Sequence, residues 1–209
     1  SRTIDGVPEK NMEIPQGSTG EITFFAHWSS SQDTAYTVNH YLQDLEGNYV
    51  LKDREDLEGT TNASVTPAVR NYTGFTSPKA QSAVIKADGS TAVDYHYTRN
   101  SYRLTFDAAG GEGGTSMGVK YGSKLHAPQV TREGYSLDSW VPAPADTMPA
   151  SDTEYRAVWA STVIYDANGG QKAPASQVIL EGGNLPGELP VYEGSLFQGW
   201  NTRADGKGK

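Results

Sequence analysis

An internal repeat of about 60 residues constrains the fold of this chain more than any other sequence feature. The segment DAAGG at 107–111 recurs 59 positions later as DANGG at 166–170. In the same order, GYSLDSW at 134–140 recurs 60 positions later as GSLFQGW at 194–200. Because chance would not preserve both order and spacing, the two stretches are interpreted as copies of one structural unit.

Two further matches extend the repeat toward the start of the chain. FFAHW at 24–28 repeats the pattern of YRAVW at 155–159, and Ile14-Pro15 repeats Met148-Pro149. These matches predict that the chain starts inside one repeat and stops inside another. The predicted segments are the closing part of a repeat at 1–28, a different unit at 35–98, a complete repeat at 102–159 and the opening part of a repeat at 162–209.

Each repeat is predicted to open with a strand and a tight turn. Tyr102, Leu104 and Phe106 alternate with polar residues, which indicates a strand with one buried face. The DxNGG pattern that follows supplies residues that tolerate positive φ, so the chain can reverse there. The largest apolar side chains are interpreted as core markers of the repeats: Phe106, Trp140, Trp159, Tyr165, Trp200 and Trp28.

These motifs resemble the internalin-type B-repeat, also called the Listeria–Bacteroides repeat. That family shows a strand ending in FDANGG, followed by YG, GYxFxGW, MP and a closing YAxW. This sequence departs from the pattern at Ala109, Leu137 and Ser139, and none of these departures removes a core position. The resemblance implies small β-grasp-like (ubiquitin-like) modules of the kind carried by bacterial surface proteins.

The unit at 35–98 has a different pattern. Strands are predicted at 37–42, 49–52 and 92–97, with Val93, Tyr95 and Tyr97 on one face. The unit resembles the mucin-binding-protein (MucBP-like) domain of Gram-positive surface adhesins. The motifs that carry this resemblance are TVNHY at 37–41, DLEG at 44–47, GT at 59–60, YTGF at 72–75 and VDYHY at 93–97.

Composition limits the fold class and the partners. With 12 Tyr, 23 Gly and 11 Pro and no long helical period, the chain is predicted to be mostly β, or α+β at most. Joints of two residues between the predicted modules, at 100–101 and 160–161, predict an elongated array. The absence of Cys excludes disulfides and thiol chemistry. A net charge of −8 without a basic stripe argues against nucleic acid, and no apolar run approaches the about 20 residues of a membrane span.

No pattern typical of catalysis or metal binding is visible. The histidines are His27, His40, His96 and His126. None of them has a second His at metal-ligand spacing, and no nucleophile elbow or phosphate-binding loop occurs. An acidic cluster at 53–58 would contact a cation or a basic partner, or form a solvated loop face. Asp107 and Asp166 are interpreted as turn residues. The sequence therefore predicts a protein without enzymatic activity, cofactor or metal.

The aromatic content of the middle unit suggests a binding role. Tyr41, Tyr49, Tyr72 and Tyr95 are the candidate binding residues, because exposed aromatic rings can stack on sugar rings. We expect a repeat region of a bacterial cell-wall protein that acts as a stalk and adheres to host or matrix glycoprotein or glycan. The alternative is a pure spacer. A further hypothesis is weak head-to-tail self-association, with residues 22–28 of one chain completing 162–200 of another; the alternative is that the incomplete repeats mark a cloning or proteolysis boundary.

Overall fold

The computed structural model describes residues 14, 16–21, 23–185 and 187–209. The described residues form an all-β structure without helices, which confirms the prediction of a mostly β chain. The strands, in chain order, are β1 (Thr34–Gln43), β2 (Tyr49–Gly59), β3 (Ser64–Val65), β4 (Phe75–Thr76), β5 (Ala83–Val84), β6 (Thr91–Arg99), β7 (Ser101–Asp107), β8 (Thr115–Lys120), β9 (Ser136–Val141), β10 (Thr153–Val163) and β11 (Gln177–Leu180).

The described residues fall into two compact units. The first contains the described residues up to Tyr41 together with Val50–Arg70 and Pro78–His96. The second contains Leu42–Tyr49, Asn71–Ser77 and Tyr97–Lys209. The division passes through β1 and β6, and the four segments drawn from the sequence stay a prediction.

In the first unit, β2, β1 and β6 lie side by side in that order. Side chains along β6 alternate between buried and exposed, as the period of two in a strand requires. Val93 and Tyr95 of this unit are buried, and so is Tyr97, the first β6 residue of the second unit, which confirms that the three share one face of β6. The core of the first unit also contains Tyr36, Val38, His40 and Ile85.

The strand predicted at 22–28 is wrong for the residues that the structure describes. Residues 23–28 have no strand assignment, Trp28 is 86% exposed, and Ile22 lies outside the described residues. A strand needs a neighbour for its backbone N–H and C=O groups. No described strand pairs with this segment, so Trp28 does not act as a core residue.

In the second unit, the complete repeat is built on β10. This strand pairs with β7 in parallel and with β9 and β11 in antiparallel, while β8 pairs with the other edge of β7. Leu104, Phe106, Met148 and Tyr155 form the core, with the half-buried Trp140 packed against them. The alternation predicted for residues 102–107 is confirmed.

The second copy repeats the opening geometry of the first. Ala109 and Asn168 occupy equivalent turn positions, and both have φ of 50°. An isolated antiparallel β-bridge pairs Gln171 with Val191, as another pairs Glu112 with Thr131. Thus the sequence repeat corresponds to a repeat of the backbone conformation.

The two copies are joined by β10 itself. This strand closes the complete repeat at its start and, over its last residues, pairs with β11 of the second copy. The predicted two-residue joint at 160–161 is therefore the interior of a continuous strand and not a loop. A strand allows less backbone freedom than a linker.

Candidate functional site

A stacked aromatic pair lies on the outer face of the first unit. Because Val38 and His40 point into the core, Tyr41 points to the opposite face of β1. His96 is exposed on β6 for the same reason. The two rings are nearly parallel, at an interplanar angle of 9°, with centroids 5.0 Å apart. We call this pair the Tyr41–His96 platform.

Polar groups lie beside the platform on the same face. Two residues before each ring, Asn39 Nδ2 donates a hydrogen bond of 2.8 Å to Asp94 Oδ1. The Asn39 side-chain carbonyl oxygen and the second Asp94 carboxylate oxygen are further hydrogen-bond acceptors of the same two side chains. A stacked pair of aromatic rings therefore adjoins hydrogen-bonding groups whose positions are fixed by the pairing of β1 and β6.

The other candidate tyrosines are not part of this platform. Tyr49 belongs to the second unit, is 40% exposed, and lies with its hydroxyl 3.3 Å from Thr98 Oγ1. Tyr72 is half-buried and packs edge-on against Tyr97 at 4.8 Å. The sequence prediction thus gathers residues from different places in the fold.

Tyr95 is a correction to the candidate set. Its side chain is fully buried, and its hydroxyl donates a 2.7 Å hydrogen bond to the carbonyl of Pro67. A ring with both faces covered by protein cannot stack on a ligand. Tyr95 is therefore a core residue of the first unit.

The acidic cluster lies on β2 rather than on a loop. Arg70 pairs with Asp53 at 3.1 Å and with Glu55 at 2.9 Å, and Glu55 also contacts His40 Nε2 at 2.9 Å. On the other side of the strand, Arg54 pairs with Asp56. These ion pairs form within the chain at its surface, and sequence reasoning missed Arg70 because it lies outside the cluster.

The core markers of the complete repeat surround Phe106. Trp140 packs edge-on against Phe106 at 5.0 Å, and Tyr155 lies 5.2 Å away on the closing strand. Trp159 is buried, and its Nε1 donates a 2.8 Å hydrogen bond to the Ala108 carbonyl. Phe106 is buried as well, whereas Trp140 is half-buried.

In the second copy the equivalent side chains border an open groove. Tyr165 and Trp200 have ring centroids 5.0 Å apart, and Phe197 lies 5.1 Å from Trp200. The groove has a volume of about 1010 Å³ and is also bordered by Leu196 and Tyr192. We call it the Tyr165–Trp200 groove.

Turn geometry accounts for the two aspartates that open the copies. Asp107 Oδ1 accepts a hydrogen bond from Ala109 N, and Asp166 Oδ1 accepts one from Asn168 N, each at 2.8 Å. These are Asx turns, which favour chain reversal. Asp107 also pairs with Arg156 at 2.6 Å. Within the described ranges there is no cluster of three or more His, Cys, Asp or Glu side chains suited to a metal ion.

Comparison with protein families agrees with this repeated geometry. A family model for the Listeria-Bacteroides repeat domain matches residues 102–156 and 162–209. The family model thus matches two consecutive stretches of the chain. Such repeats occur in extracellular surface proteins and are typically non-catalytic. A comparison with curated proteins found no match. Among the described residues no helix has the length and hydropathy to cross a membrane.

Proposed function

We propose that this chain is a non-enzymatic repeat region of a bacterial cell-surface protein that binds host or matrix glycan through the Tyr41–His96 platform. The observation that carries the proposal is the parallel stacking of these two rings on the outer face of a sheet, beside the Asn39–Asp94 hydrogen bond. Aromatic rings offer a flat apolar surface to the C–H face of a sugar. The neighbouring amide and carboxylate oxygens would accept hydrogen bonds from sugar hydroxyls.

Preorganisation supports this choice of surface. Binding costs free energy when side chains with many rotamers must be ordered. Here Tyr41 and His96 restrain each other by stacking, and Asn39 is held by Asp94. The ordering cost is therefore already met in the unbound protein. The negative net charge of the chain favours a neutral or cationic ligand over a polyanion.

The proposal also includes the finer assignments made from the sequence. Residues 35–98 are assigned to a MucBP-like domain, and the modules to a β-grasp-like fold in an elongated array on a Gram-positive cell wall. The two Listeria-Bacteroides repeats support the surface location. The parallel pairing of β7 with β10 across an open sheet is compatible with a β-grasp arrangement.

A spacer role is the second candidate. The observation that favours it is the continuity of β10 from the first copy into the start of the second, reinforced by the ion pair of Arg132 with Glu181. A region that only spaces other domains needs stiffness between its repeats and no ligand surface. Binding measurements distinguish the two roles.

The test is a glycan array probed with the 209-residue protein and three variants. Tyr41→Ala and His96→Ala remove the platform, and Tyr135→Ala removes an exposed tyrosine of the second unit as a matched control. We expect the unchanged protein and Tyr135→Ala to bind the same glycans, and both platform variants to bind at least tenfold more weakly, equivalent to about 1.4 kcal/mol. Circular dichroism checks that each variant is folded.

Two results would overturn the glycan proposal. If the unchanged protein binds no glycan at high concentration, the spacer role stands. If Tyr41→Ala and His96→Ala bind as strongly as the unchanged protein, any glycan site lies elsewhere on the chain.

A further inference from the structure

The complete repeat begins and ends in two neighbouring parallel strands. The chain enters the repeat through β7 and leaves it through β10, which continues into the second copy. Residues 153–156 of β10 pair in parallel with residues 104–107 of β7. Because parallel strands run in the same direction, the start of β7 and the end of β10 lie at opposite ends of the pair. Tension along the chain therefore pulls the two strands lengthwise past each other.

This direction of pulling is the one in which a strand pair resists force best. When two strands are pulled lengthwise, the hydrogen bonds between them are strained together and must break at nearly the same moment. When an antiparallel pair is opened from one end, its bonds break one after another. Forced unfolding is governed by the unfolding rate, so simultaneous rupture presents the higher barrier. The β7–β8 pair provides the contrast within the same repeat, since Ser101 and Lys120 face each other at one end of it.

Side-chain bonds hold the β7–β10 pair at both ends of its backbone ladder. At one end, the backbone N–H of Arg103 donates a 2.8 Å hydrogen bond to Asp152 Oδ1. At the other end, Arg156 Nη1 donates to Asp107 Oδ2 at 2.6 Å. Each bond joins two residues that are 49 positions apart in the sequence. Lengthwise sliding of β10 along β7 breaks both of them.

The core of the repeat lies across the same pair of strands. Phe106 of β7 and Tyr155 of β10 are buried, with ring centroids 5.2 Å apart. Trp159 of β10 is also buried, and its Nε1 donates a 2.8 Å hydrogen bond to the carbonyl of Ala108, directly after β7. Close-packed side chains cannot slide past one another without opening voids. Sliding of the strands therefore also costs the contacts of these aromatic rings.

The strand pair continues directly into the second copy. β10 runs without interruption to Val163, and its residues 160–163 pair in antiparallel with residues 177–180 of β11. Arg132 adds an ion pair with Glu181, the residue after β11. A flexible linker extends under tension before it transmits force, whereas a strand is already extended. Tension applied in the second copy thus reaches the β7–β10 pair directly.

We propose that the complete repeat resists tensile force in the chain and that the β7–β10 pair is its mechanical clamp. Listeria-Bacteroides repeats occur in extracellular surface proteins. A chain held to a cell at one point and to a fixed partner at another carries tension whenever fluid moves the cell. All residues of the clamp belong to the second unit. The clamp is therefore independent of the Tyr41–His96 platform, and it adds resistance to tension to the spacer role.

Optical-tweezers measurements on the 209-residue protein test the clamp by changing only the direction of pulling. Because the chain contains no Cys, the handles attach at two introduced thiols. Ser101→Cys with Thr162→Cys pulls β7 and β10 lengthwise, whereas Ser101→Cys with Gly118→Cys opens the β7–β8 pair from one end. All three positions are exposed, and a Cβ at Gly118 meets no atom within 4 Å.

The expected unfolding force, at one rate of loading, is about twofold or more higher for lengthwise pulling than for opening from the end. Circular dichroism of each double variant before attachment verifies that the two proteins are equally folded. Equal forces in the two directions, or a lower force for lengthwise pulling, would overturn the proposal.

Arg156→Ala tests whether the side-chain bonds belong to the clamp. It should raise the rate of lengthwise unfolding at constant force about twofold or more, because the ion pair with Asp107 breaks in the same step as the ladder. The rate of opening from the end should not change. Arg203→Ala is the matched control, since the Arg203 side chain is 65% exposed, as that of Arg156 is, and pairs with Asp205 away from β7 and β10.

An equal rise in both directions for Arg156→Ala would indicate a general loss of stability and would overturn the assignment of this ion pair to the clamp. An unchanged lengthwise rate for Arg156→Ala would overturn it as well, and so would an equal lengthwise rise for Arg203→Ala. None of these results bears on glycan binding, because the Tyr41–His96 platform contains none of the residues substituted here.

Discussion

Gly74 lies directly against the ring of Tyr121, so closely that a Cβ at position 74 would overlap the ring. Gly74 also has φ of 81°, a conformation that residues with a Cβ rarely adopt. The Tyr121 ring packs edge-on against Phe75 at 6.0 Å, and its carbonyl accepts a 2.8 Å hydrogen bond from Arg99. Tyr121 of the complete repeat therefore packs against the loop that contains Gly74, within the second unit.

Gly74→Ala should destabilise the protein by about 2 kcal/mol or more, because backbone strain and overpacking act together. Urea unfolding followed by tryptophan fluorescence measures the change. Gly118→Ala is the matched control, since a Cβ there meets no atom within 4 Å. In a Tyr121→Ala background the overlap with the ring is removed and only the backbone strain remains. The loss of free energy of unfolding caused by Gly74→Ala should therefore fall by about half. An equal cost in both backgrounds would show that the ring is not the cause.

Ala109→Asn should stabilise the protein by about 0.5–1 kcal/mol. Ala109 has φ of 50°, as Asn168 has at the equivalent position of the second copy. Asn tolerates this left-handed conformation better than Ala, whereas a β-branched residue tolerates it worse. Ala109→Val should therefore destabilise the protein. If Ala109→Asn instead lowers the free energy of unfolding, backbone strain at position 109 does not destabilise the protein.

Trp159→Phe should cost about 2–3 kcal/mol, because it leaves a cavity and removes the hydrogen bond to the Ala108 carbonyl. Trp28→Phe changes the same side chain at an exposed position and should leave the free energy of unfolding unchanged for the isolated molecule. The comparison is made at low protein concentration, where association is negligible. Equal costs for the two variants would contradict the closing role of β10.

The ion pair of Arg132 with Glu181 should make stability depend on pH. Arg132 donates to both carboxylate oxygens, at 2.6 and 2.9 Å. The Arg132 hydrogen bonds lower the pKa of Glu181 below its ordinary value of 4.5. A carboxylate with a lowered pKa contributes stability above its unfolded-state pKa, and this contribution disappears as the pH falls through the folded-state pKa.

Glu181→Gln should therefore lower the thermal midpoint at pH 7 and have progressively less effect below about pH 4.5. Differential scanning calorimetry at pH 7 and pH 3 measures this difference. The pair is at the surface, so the shift should be small and should decrease at high salt. A shift of the same size at both pH values would mean that Glu181 contributes through packing alone.

Alternation in the sequence was sufficient to predict which faces of β6 and β7 are buried. Val93, Tyr95 and Tyr97 follow the period of two, and so do Leu104 and Phe106. The same alternation contradicts the choice of Tyr95 as a binding residue, since it places that ring in the core. The position of an aromatic residue in the alternation of a strand therefore decides whether its ring is buried or exposed.

The Tyr41–His96 platform was only half predicted. Tyr41 was found through its aromatic ring, whereas His96 was considered only as a metal ligand. Each of these two residues is next to a buried residue in its strand and therefore lies on the opposite face. Alternation in β1 and β6 could thus have identified both of them. That the two strands are neighbours, however, follows only from the fold.

Long-range contacts account for what the sequence could not show. Arg132 and Glu181 are 49 positions apart, and β4 to β8 lie between Gly74 and Tyr121 in the chain. Neither contact has a local signature, because each depends on how separate elements pack. The prediction of a strand at 22–28 is wrong among the described residues for a related reason. The residue pattern is typical of a strand, but a strand forms only where the edge of another strand is available for pairing.

The most direct test of the proposed glycan site is residue-resolved mapping by nuclear magnetic resonance. The isotopically labelled 209-residue protein is titrated with the oligosaccharide that gives the strongest array signal. The predicted result is a saturable set of shift changes centred on Asn39, Tyr41, Asp94 and His96, which is lost in Tyr41→Ala. Saturable changes centred on any other surface, or no change at millimolar oligosaccharide, would contradict the assignment of this face as the glycan site.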